Sequence, residues 1–146
     1  MNVYDYFFQE SANLDKDFVL GSRESISFKD LKERSLTVAS WLNNNVGEGK
    51  NILLLYPNSI DFIITYLAII KSGNICVPLV SEIEKSNLDY IVETTDATCF
   101  FVPARKSNLI DYSGALKIDE KEFQIFEEKQ SEFVDFNPEF DENRLA

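Results

Sequence analysis

Three apolar runs, separated by short polar breaks, occupy the middle of the chain. The first covers residues 52–56 and the second, longer run covers residues 60–70. A third covers residues 75–79, after the polar break KSGN at 71–74. Short runs without polar alternation are typical of strands buried on both faces, and the longer run has the length of a helix. The pattern predicts strand, helix and strand, the unit that joins two parallel strands in a right-handed sense.

The N-terminal third shows helical and hairpin patterns. Residues 3–9 have apolar side chains at helical spacing, and residues 18–21 and 25–28 flank a polar turn, which predicts a small β-hairpin. Ser27 stands three residues before Asp30, as the N-cap of a helix does. That helix is expected to bury one stripe and to stop near Gly47; the stripe comprises Leu31, Ser35, Val38, Ala39, Leu42 and Val46.

The C-terminal part continues the alternation of helices and strands. Residues 86–95 predict a helix with Leu88, Ile91 and Val92 inward, and residues 98–102 predict a third buried strand. A polar connection at 103–113, with a possible helical turn at Leu109 and Ile110, leads to a short strand at 115–118. The fold class is therefore α/β, a mostly parallel sheet with flanking helices and a small N-terminal hairpin.

The residues from Asp119 onward differ in composition from the rest. Ten acidic and three basic residues give this part a net charge of −7, out of −11 for the whole chain. We expect residues 119–146 to form an acidic, partly irregular segment pinned by aromatic anchors, namely Phe123, Phe126, Phe133, Phe136 and Phe140. A solvated surface is the favoured interpretation of the charge, and an acidic docking segment is the alternative.

Composition excludes several classes of function. The 146 residues fit one domain, and 45% hydrophobic residues indicate a folded protein. The acidic balance argues against nucleic acid or an anionic membrane as partner. The chain has no histidine, which excludes Ser-His and Cys-His nucleophile pairs and removes the commonest ligand of transition metals.

The cysteines and the N-terminal residues indicate in which cellular compartment the protein is expected. Cys76 and Cys99 lie in apolar strand-like runs and are expected to be buried free thiols of a reducing compartment. Residues 1–10 lack the basic start of a signal peptide, and residues 60–70 are too few to span a bilayer. We therefore expect a cytoplasmic protein.

Two segments invite comparison with phosphate-binding loops. Gly47-Glu48-Gly49 precedes a strand, whereas a phosphate loop follows one, so a turn is the better interpretation. Pro57-Asn58-Ser59 does stand between a strand and a helix, where backbone N–H groups can hold an anion. It lacks the glycines that allow close approach of a phosphate, so capping by Asn58 or Ser59 is favoured.

Other candidate groups are interpreted as structural. The acid pairs Glu127-Glu128 and Asp141-Glu142 have no surroundings that predict burial, so a solvated acidic run is favoured over a catalytic or metal pair. Tyr56, Tyr66 and Tyr90 lie on predicted core elements and are expected to pack with their hydroxyl groups at the rim.

Three ordered segments resemble the motifs of one enzyme superfamily. Residues 26–31 (ISFKDL) resemble the first core motif of the adenylate-forming enzymes, which comprise acyl- and aryl-CoA ligases, luciferases and peptide-synthetase adenylation domains. Residues 56–62 (YPNSIDF) are similar to the family's "L-P-N-S-x-E-F", and residues 69–79 (IIKSGNICVPL) to its second motif, "L-K-A/S-G-x-x-x-V-P-L/I". The resemblance implies the N-terminal subdomain of that fold.

The resemblance also implies an activity for a parent enzyme. Such an enzyme uses ATP and Mg²⁺ to convert a carboxylate to an acyl-adenylate, and then transfers the acyl group to CoA or to the pantetheine of a carrier protein. Residues 141–146 resemble the run that leads into the family's phosphate loop, and that loop is not in the sequence. No catalytic, cofactor-binding or metal-ligating residue of the family is carried over to this chain, which is interpreted as an inactive N-terminal scaffold fragment, residues 1–146.

Two kinds of partner follow from this interpretation. The first is the remainder of the enzyme, and the second is another copy of the chain, associating through apolar surface that the remainder covers. A free-standing, non-catalytic α/β interaction domain that binds a partner through its acidic end is the alternative function.

Overall fold

The computed structural model describes residues 2–9, 16–20 and 24–129. In chain order its elements are α1 (Val3–Phe8), β1 (Asp17–Leu20), β2 (Glu24–Ser27), α2 (Phe28–Asn45), β3 (Asn51–Leu54), α3 (Ile60–Lys71), β4 (Ile75–Pro78), α4 (Lys85–Thr95), β5 (Cys99–Phe101), a 3-10 helix (Ala104–Leu109), β6 (Leu116–Ile118) and α5 (Glu120–Lys129). The predicted hairpin is confirmed, since β1 and β2 pair antiparallel, with Phe18 opposite Ile26.

The main sheet is parallel throughout and has the strand order β4-β3-β5-β6. The predicted unit of strand, helix and strand is confirmed as β3, α3 and β4. In the register, Ile52 of β3 lies opposite Cys76 of β4 on one side and Cys99 of β5 on the other. The chain thus places β3 first, adds β4 on one side of it and then crosses to the other side for β5.

The two faces of the sheet are covered differently. On what we call the four-helix face, Ile52, Leu54 and Phe101 belong to one cluster with buried residues of α1, α2, α3 and α5. On the opposite α4 face, Leu53 and Phe100 pack with Leu88 of α4 and with Ile110 of the segment between β5 and β6. Both faces of the predicted central strand are therefore buried, as its unbroken apolar run indicates.

Side-chain caps fix the starts of α2 and α3. Ser27 Oγ accepts a hydrogen bond from the backbone N–H of Asp30 at 3.0 Å, and Ser59 Oγ accepts one from the N–H of Phe62 at 3.1 Å. Each cap satisfies an N–H group that has no partner within its helix. Gly73 follows α3 with a φ of +81°, a left-handed conformation that favours glycine. The starts of α2 and α3 and the end of α3 confirm the predicted helix boundaries.

A buried lysine joins the N-terminal helix to the rest of the fold. Lys71, at the end of α3, is only 1% exposed, and its ammonium lies 3.1 Å from Oδ1 of Asp5 on α1. It also lies 5.4 Å from the centroid of the Tyr4 ring. The Tyr4 hydroxyl in turn forms a 2.8 Å hydrogen bond with Ser35 Oγ of α2. A short helix of six residues is thus held by charge and hydrogen bonds in addition to apolar packing.

Within the segment that is expected to be partly irregular, residues 120–129 form the helix α5, and the remainder stays a prediction. Asp119 Oδ1 accepts hydrogen bonds from the backbone N–H groups of Lys121 and Glu122, so it acts as an N-cap. Phe123 is fully buried, which confirms it as an anchor. The other anchors, and the acid pairs 127–128 and 141–142, lie outside the described side chains.

Two burial predictions need correction. Tyr90 is predicted to pack, but it is 70% exposed, because α4 turns only Leu88 fully into the core. The run 60–70 is apolar nearly all round, which predicts a heavily buried helix; α3 is buried mainly from Ile64 onward, whereas Ile60, Phe62 and Ile63 near its start are only partly buried.

Pro78 occupies an outward-facing position in β4, an outer strand of the sheet as described. The backbone N–H groups of Ile75 and Leu79 donate to β3, at Lys50 O and Leu54 O. Because alternate residues of a strand point their N–H groups to opposite sides, the nitrogen of Pro78 faces away from β3. Proline has no N–H, so the open side of the sheet lacks a donor there.

The two cysteines are free and buried, as expected. Both lie opposite Ile52 in register, so one strand separates them and their Cα atoms are about 9–10 Å apart. That separation exceeds the roughly 7 Å limit for a disulfide. Burial raises the pKa of each thiol to about 12, which makes both poor nucleophiles.

Candidate functional site

The carboxyl edge of the sheet is the place where this topology favours a ligand. The chain leaves β3 toward β4 on one side and leaves β5 toward β6 on the other. In open parallel sheets, ligands bind in the crevice that forms outside the carboxyl ends of strands whose connections diverge in this way. The turns after β3 and β4 lie at this edge and supply the candidate side chains.

A depression of about 370 Å³ opens at this edge. Its lining comes from the segments after β3 and β4 and from the first turn of α3: Tyr56, Pro57, Asn58, Phe62, Pro78, Leu79, Val80, Ser81 and Glu82. Small-molecule sites of this size are commonly apolar with a few polar groups at defined positions, which is the composition seen here.

The apolar wall of the depression continues onto the surface of α3. The Phe62 ring stacks on Tyr66, one helical turn later, with centroids 6.4 Å apart and planes 12° apart. On the opposite rim, Val80 is 68% exposed. Phe62 and Tyr66 are partly buried against the core, so Val80 is the exposed apolar residue of this rim.

The polar corner consists of Ser81 and Glu82. Ser81 is buried, and its hydroxyl donates a hydrogen bond to Oε1 of Glu82 at 2.8 Å. That bond, a bond from the backbone N–H of Glu82, and the charges of Arg105 and Lys106 lower the pKa of the Glu82 carboxyl. Glu82 is therefore ionised at neutral pH and can accept hydrogen bonds but cannot donate a proton.

Tyr56 contributes its ring to the depression but keeps its hydroxyl inside the fold. The hydroxyl donates to the carbonyl oxygen of Ile118 at 3.0 Å, and the ring packs edge-on against Phe101 and Phe123. Burial, followed by the charge of Asp61, raises the pKa of this phenol well above its usual value. Tyr56 thus joins the ends of β3 and β6, which confirms it as a packing residue, but the prediction of a hydroxyl at the rim is wrong because that hydroxyl is buried against Ile118.

The loops that were compared with phosphate-binding segments have structural roles. Ser59 caps α3, and its hydroxyl also donates to the carbonyl oxygen of Pro57 at 3.0 Å, which confirms capping as the function of this segment. Gly47 and Gly49 have positive φ angles, and the N–H of Gly49 donates to Gly73 O at 2.9 Å, which confirms a turn.

Residues 2–9, 16–20 and 24–129 contain no group of three or more carboxylate or thiol side chains suited to a metal ion. That the chain carries no catalytic or cofactor-binding residue of its family stays a prediction. Sequence patterns missed Ser81, Glu82, Arg105 and Lys106, although the rule that ligands bind at the carboxyl edge would have selected the turns after β4 and β5.

A helix that is long and apolar enough to cross a membrane was not found in the part of the chain that the structure describes.

Comparison with known protein families identifies one match. A family model described as AMP-binding enzyme matches residues 8–145. A plipastatin synthase of Bacillus subtilis is 26% identical over 119 residues, which are 82% of this chain and 4% of the synthase. A fatty-acid–CoA ligase of Mycobacterium tuberculosis is 30% identical over 59 residues, which are 40% of this chain and 10% of the ligase. The chain thus spans a small part of the curated relatives that it matches.

Solved structures show the same fold. A benzoate CoA ligase from Burkholderia xenovorans superposes with a TM-score of 0.78 at 16% identity, covering 88% of this chain and 28% of the ligase. The N-terminal subdomain of Klebsiella oxytoca NpsA, in complex with 3-hydroxybenzoyl-AMSN, gives a TM-score of 0.78 at 16% identity, covering 98% and 36%. The architecture of helices on both faces of a parallel sheet is therefore shared with these proteins.

Proposed function

The chain belongs to the AMP-binding enzyme family, and on that premise we propose that it forms the N-terminal scaffold of an ATP-dependent, carboxylate-activating ligase. The observation that carries the proposal is the family match over residues 8–145, together with the small share of each relative that the chain spans. In this proposal the reaction forms an acyl-adenylate and then a thioester with CoA or a carrier-bound pantetheine.

The family segments have structural roles in this scaffold. Ser27 of the first segment starts α2, Ser59 of the second starts α3, and Gly73 of the third ends α3 before β4. Together they set the position of α3 against the sheet and so shape the depression at the carboxyl edge. A scaffold role explains why the matching residues are caps, turns and core positions.

The junction between β3 and α3 does not fit a phosphate-binding loop. The strand–helix junction at Pro57-Asn58-Ser59 has no glycine, and the Ser59 side chain is used to cap α3. We therefore assign ATP, Mg²⁺ and the thiol acceptor to the parent enzyme, and we derive no chemical step from this chain's residues. The expected domain description, one N-terminal subdomain over residues 1–146 with an acidic end, is part of the same proposal, as is a cytoplasmic location.

The experiment compares the 146-residue chain with the full protein that its gene encodes. ATP–pyrophosphate exchange is measured for both over a panel of aliphatic, aromatic and amino acids. We expect exchange only in the full protein, and calorimetric titration of the isolated chain with ATP should give no saturable heat. Exchange or micromolar ATP binding by the isolated chain would contradict the scaffold role, and a full protein inactive with every acid would favour the interaction-domain alternative.

The acceptor is tested in the same full protein. Relatives include peptide synthetases and a fatty-acid–CoA ligase, so both free CoA and a carrier protein are offered after adenylate formation. Thioester formation with one of the two assigns the class, and the other serves as the control.

The apolar surface around Phe62, Tyr66 and Val80 is proposed to contact the remainder of the enzyme. The isolated chain is then expected to associate with a second copy, because Val80 is exposed and Phe62 and Tyr66 are only partly buried within the described residues. Light scattering should show particles larger than a monomer, and Val80→Asp should restore the monomer. A matched change at the exposed Tyr90, Tyr90→Asp, should leave association unchanged.

A further inference from the structure

Lys85, at the first position of α4, holds the far end of the segment that connects β5 to β6. We call this segment, residues 102–115, the crossover. The ammonium of Lys85 donates hydrogen bonds to the carbonyl oxygen of Leu109 at 2.7 Å and to Oδ1 of Asp111 at 2.6 Å. It also donates to the hydroxyl of Tyr112 at 3.2 Å. One side chain therefore bonds to three residues near one end of the crossover.

Tyr112 connects the same end of the crossover to both α4 and the sheet. Its hydroxyl donates a hydrogen bond to Oδ1 of Asp89, which lies one turn after Lys85 on α4. Its ring stacks on Phe100 of β5, with centroids 5.8 Å apart and planes 20° apart. The Lys85 ammonium lies 4.3 Å from the centroid of the Tyr112 ring. The polar contacts of Lys85 are thus continuous with the apolar cluster of the α4 face.

The rest of the crossover has little apolar attachment to the fold. Its 3-10 helix, Ala104–Leu109, contains no buried residue. Beyond the two residues that directly follow β5, Ile110 is the one buried residue of the crossover. At the near end, the backbone N–H of Ala104 donates to Oε2 of Glu120 at 2.9 Å in an exposed contact. Few buried apolar contacts and exposed hydrogen bonds are typical of a segment that opens locally.

We propose that the crossover is a strap over the α4 face that opens locally, and that the charge of Lys85 sets how often it opens. In the open state the crossover leaves Phe100, while the sheet and the four-helix face stay folded. The Lys85 side chain is 37% exposed, and those of Asp89 and Asp111 are 51% and 66% exposed. Ions in solution screen such pairs, so the opening responds to ionic strength. The proposal does not depend on the proposed function.

Native-state hydrogen exchange in the 146-residue chain separates local from global opening. The amides of Lys106 and Ile110 form hydrogen bonds within the crossover, whereas the amide of Leu55 donates to Phe101 O in the sheet. Exchange at Lys106 and Ile110 should be nearly independent of urea below the unfolding transition, because a local opening exposes little surface. Exchange at Leu55 should accelerate steeply with urea, because it requires global unfolding.

The role of the charge is tested with Lys85→Met, which keeps most of the apolar length of the side chain. We expect exchange at Lys106 and Ile110 to become about tenfold faster, since hydrogen bonds to a charged group are lost. Raising the salt concentration from about 0.05 M to about 1 M should accelerate both amides in the wild type but not in Lys85→Met. Lys29→Met, which removes an exposed charge on α2, is the matched control and should leave exchange in the crossover unchanged.

Asp111→Asn tests the same contact from the crossover side. Alone, it should accelerate exchange at Lys106 and Ile110 about threefold, because the pair is half-exposed and two other bonds of Lys85 remain. In the Lys85→Met background it should add nothing, because its partner is already gone.

Two kinds of result would overturn the proposal. Exchange at Lys106 and Ile110 that follows the urea dependence of Leu55 would exclude local opening. Unchanged exchange in Lys85→Met, or equal salt dependence in the wild type and this variant, would exclude the role of the charge. If Lys85→Met does not fold, Asp111→Asn and the salt dependence of the wild type decide the same question. None of these readouts needs ATP or a thiol acceptor, so a full protein without pyrophosphate exchange would refute the proposed function alone.

Discussion

The two faces of the sheet are built on different principles. The four-helix face carries a large cluster in which residues from α1, α2, α3 and α5 interlock with β3, β5 and β6. The α4 face carries a smaller cluster, and α4 itself contributes only Leu88 as a fully buried residue. On that face the cover is completed by the crossover, residues 102–115. Lys85 of α4 holds it in place through hydrogen bonds to Leu109, Asp111 and Tyr112.

The difference indicates which parts of the molecule can move independently. A cover of several interlocked helices has to be displaced as a whole, so we expect the four-helix face to open only with global unfolding. A cover made of one helix and a crossover fastened by half-exposed charges can open locally. The carboxyl-edge depression lies where these two covers meet.

The most severe test uses adjacent residues of β5. Phe101 and Phe100 are both 0% exposed and point to the four-helix face and the α4 face, respectively. Truncation to alanine should lower the free energy of unfolding by about 5 kcal/mol at Phe101 and by about 3 kcal/mol at Phe100. The loss at Phe100 is smaller because the thinner cover of the α4 face can collapse into the cavity. Urea unfolding of Phe101→Ala and Phe100→Ala measures both. An equal or larger loss at Phe100 would show that the α4 face is as rigid as the other.

A second test compares the two lysines that form ion pairs between distant segments, Lys71 with Asp5 and Lys85 with Asp111. Asp5→Asn removes an anion from the ammonium of Lys71, which is 1% exposed, and should cost about 2 kcal/mol. Asp111→Asn removes an anion from Lys85, whose side chain is 37% exposed, and should cost less than about 1 kcal/mol. Chemical denaturation of both variants shows whether Asp5→Asn lowers the free energy of unfolding more than Asp111→Asn does. Lys71→Met, which removes the buried charge altogether, should be milder than Asp5→Asn.

A third test uses alkaline pH. Burial raises the pKa of Tyr56, so the unfolded chain releases this proton at a lower pH than the folded one, and stability falls as pH rises above about 10. Tyr56→Phe should cost about 1 kcal/mol at neutral pH through the lost bond to Ile118 and should weaken the alkaline decline. Tyr112→Phe, on the α4 face, should weaken it less, because Lys85 opposes the rise in the Tyr112 pKa. Unfolding curves from pH 8 to 11 give both slopes.

The test with the smallest expected effect on stability measures how fast a thiol reagent reaches cysteines on each face of the sheet. Cys76 and Cys99 lie on the four-helix face with pKa values raised to about 12 by burial, so a thiol reagent at pH 8 should reach them only through global unfolding. Ala97→Cys, in a Cys76→Ala/Cys99→Ala background, places a thiol in the α4-face cluster at a position 6% exposed. It should react faster, and equal rates would contradict local opening.

Much of this architecture follows from local sequence. The unbroken apolar runs predicted β3 and β5, and the helix caps at Ser27 and Ser59 follow from hydroxyl side chains placed just before periodic segments. The order of the strands in the sheet cannot be predicted from local sequence. The apolar runs that form β4 and β5 are equally compatible with pairing on either side of β3. The register that sets Cys76 and Cys99 on opposite sides of Ile52 is a tertiary outcome.

The errors have physical causes too. The acidic composition of α5 masks its helix signal, which is an Asp119 cap followed by acids in the first turn and an inward Phe123. The prediction for Tyr90 fails because aromatic character alone does not fix the face of a helix. Lys71 and Lys85 have no distinguishing local pattern, since their partners Asp5 and Asp111 are 66 and 26 residues away.

The proline in β4 affects how the chain avoids aggregation while it is being synthesised. A parallel sheet assembles from strands far apart in sequence, so an outer strand is exposed while later residues are still emerging from the ribosome. At Pro78 the outer side of β4 offers no N–H to a strand from another nascent chain. Pro78 therefore protects the growing chain against intermolecular strand pairing, a role that needs no bound ligand.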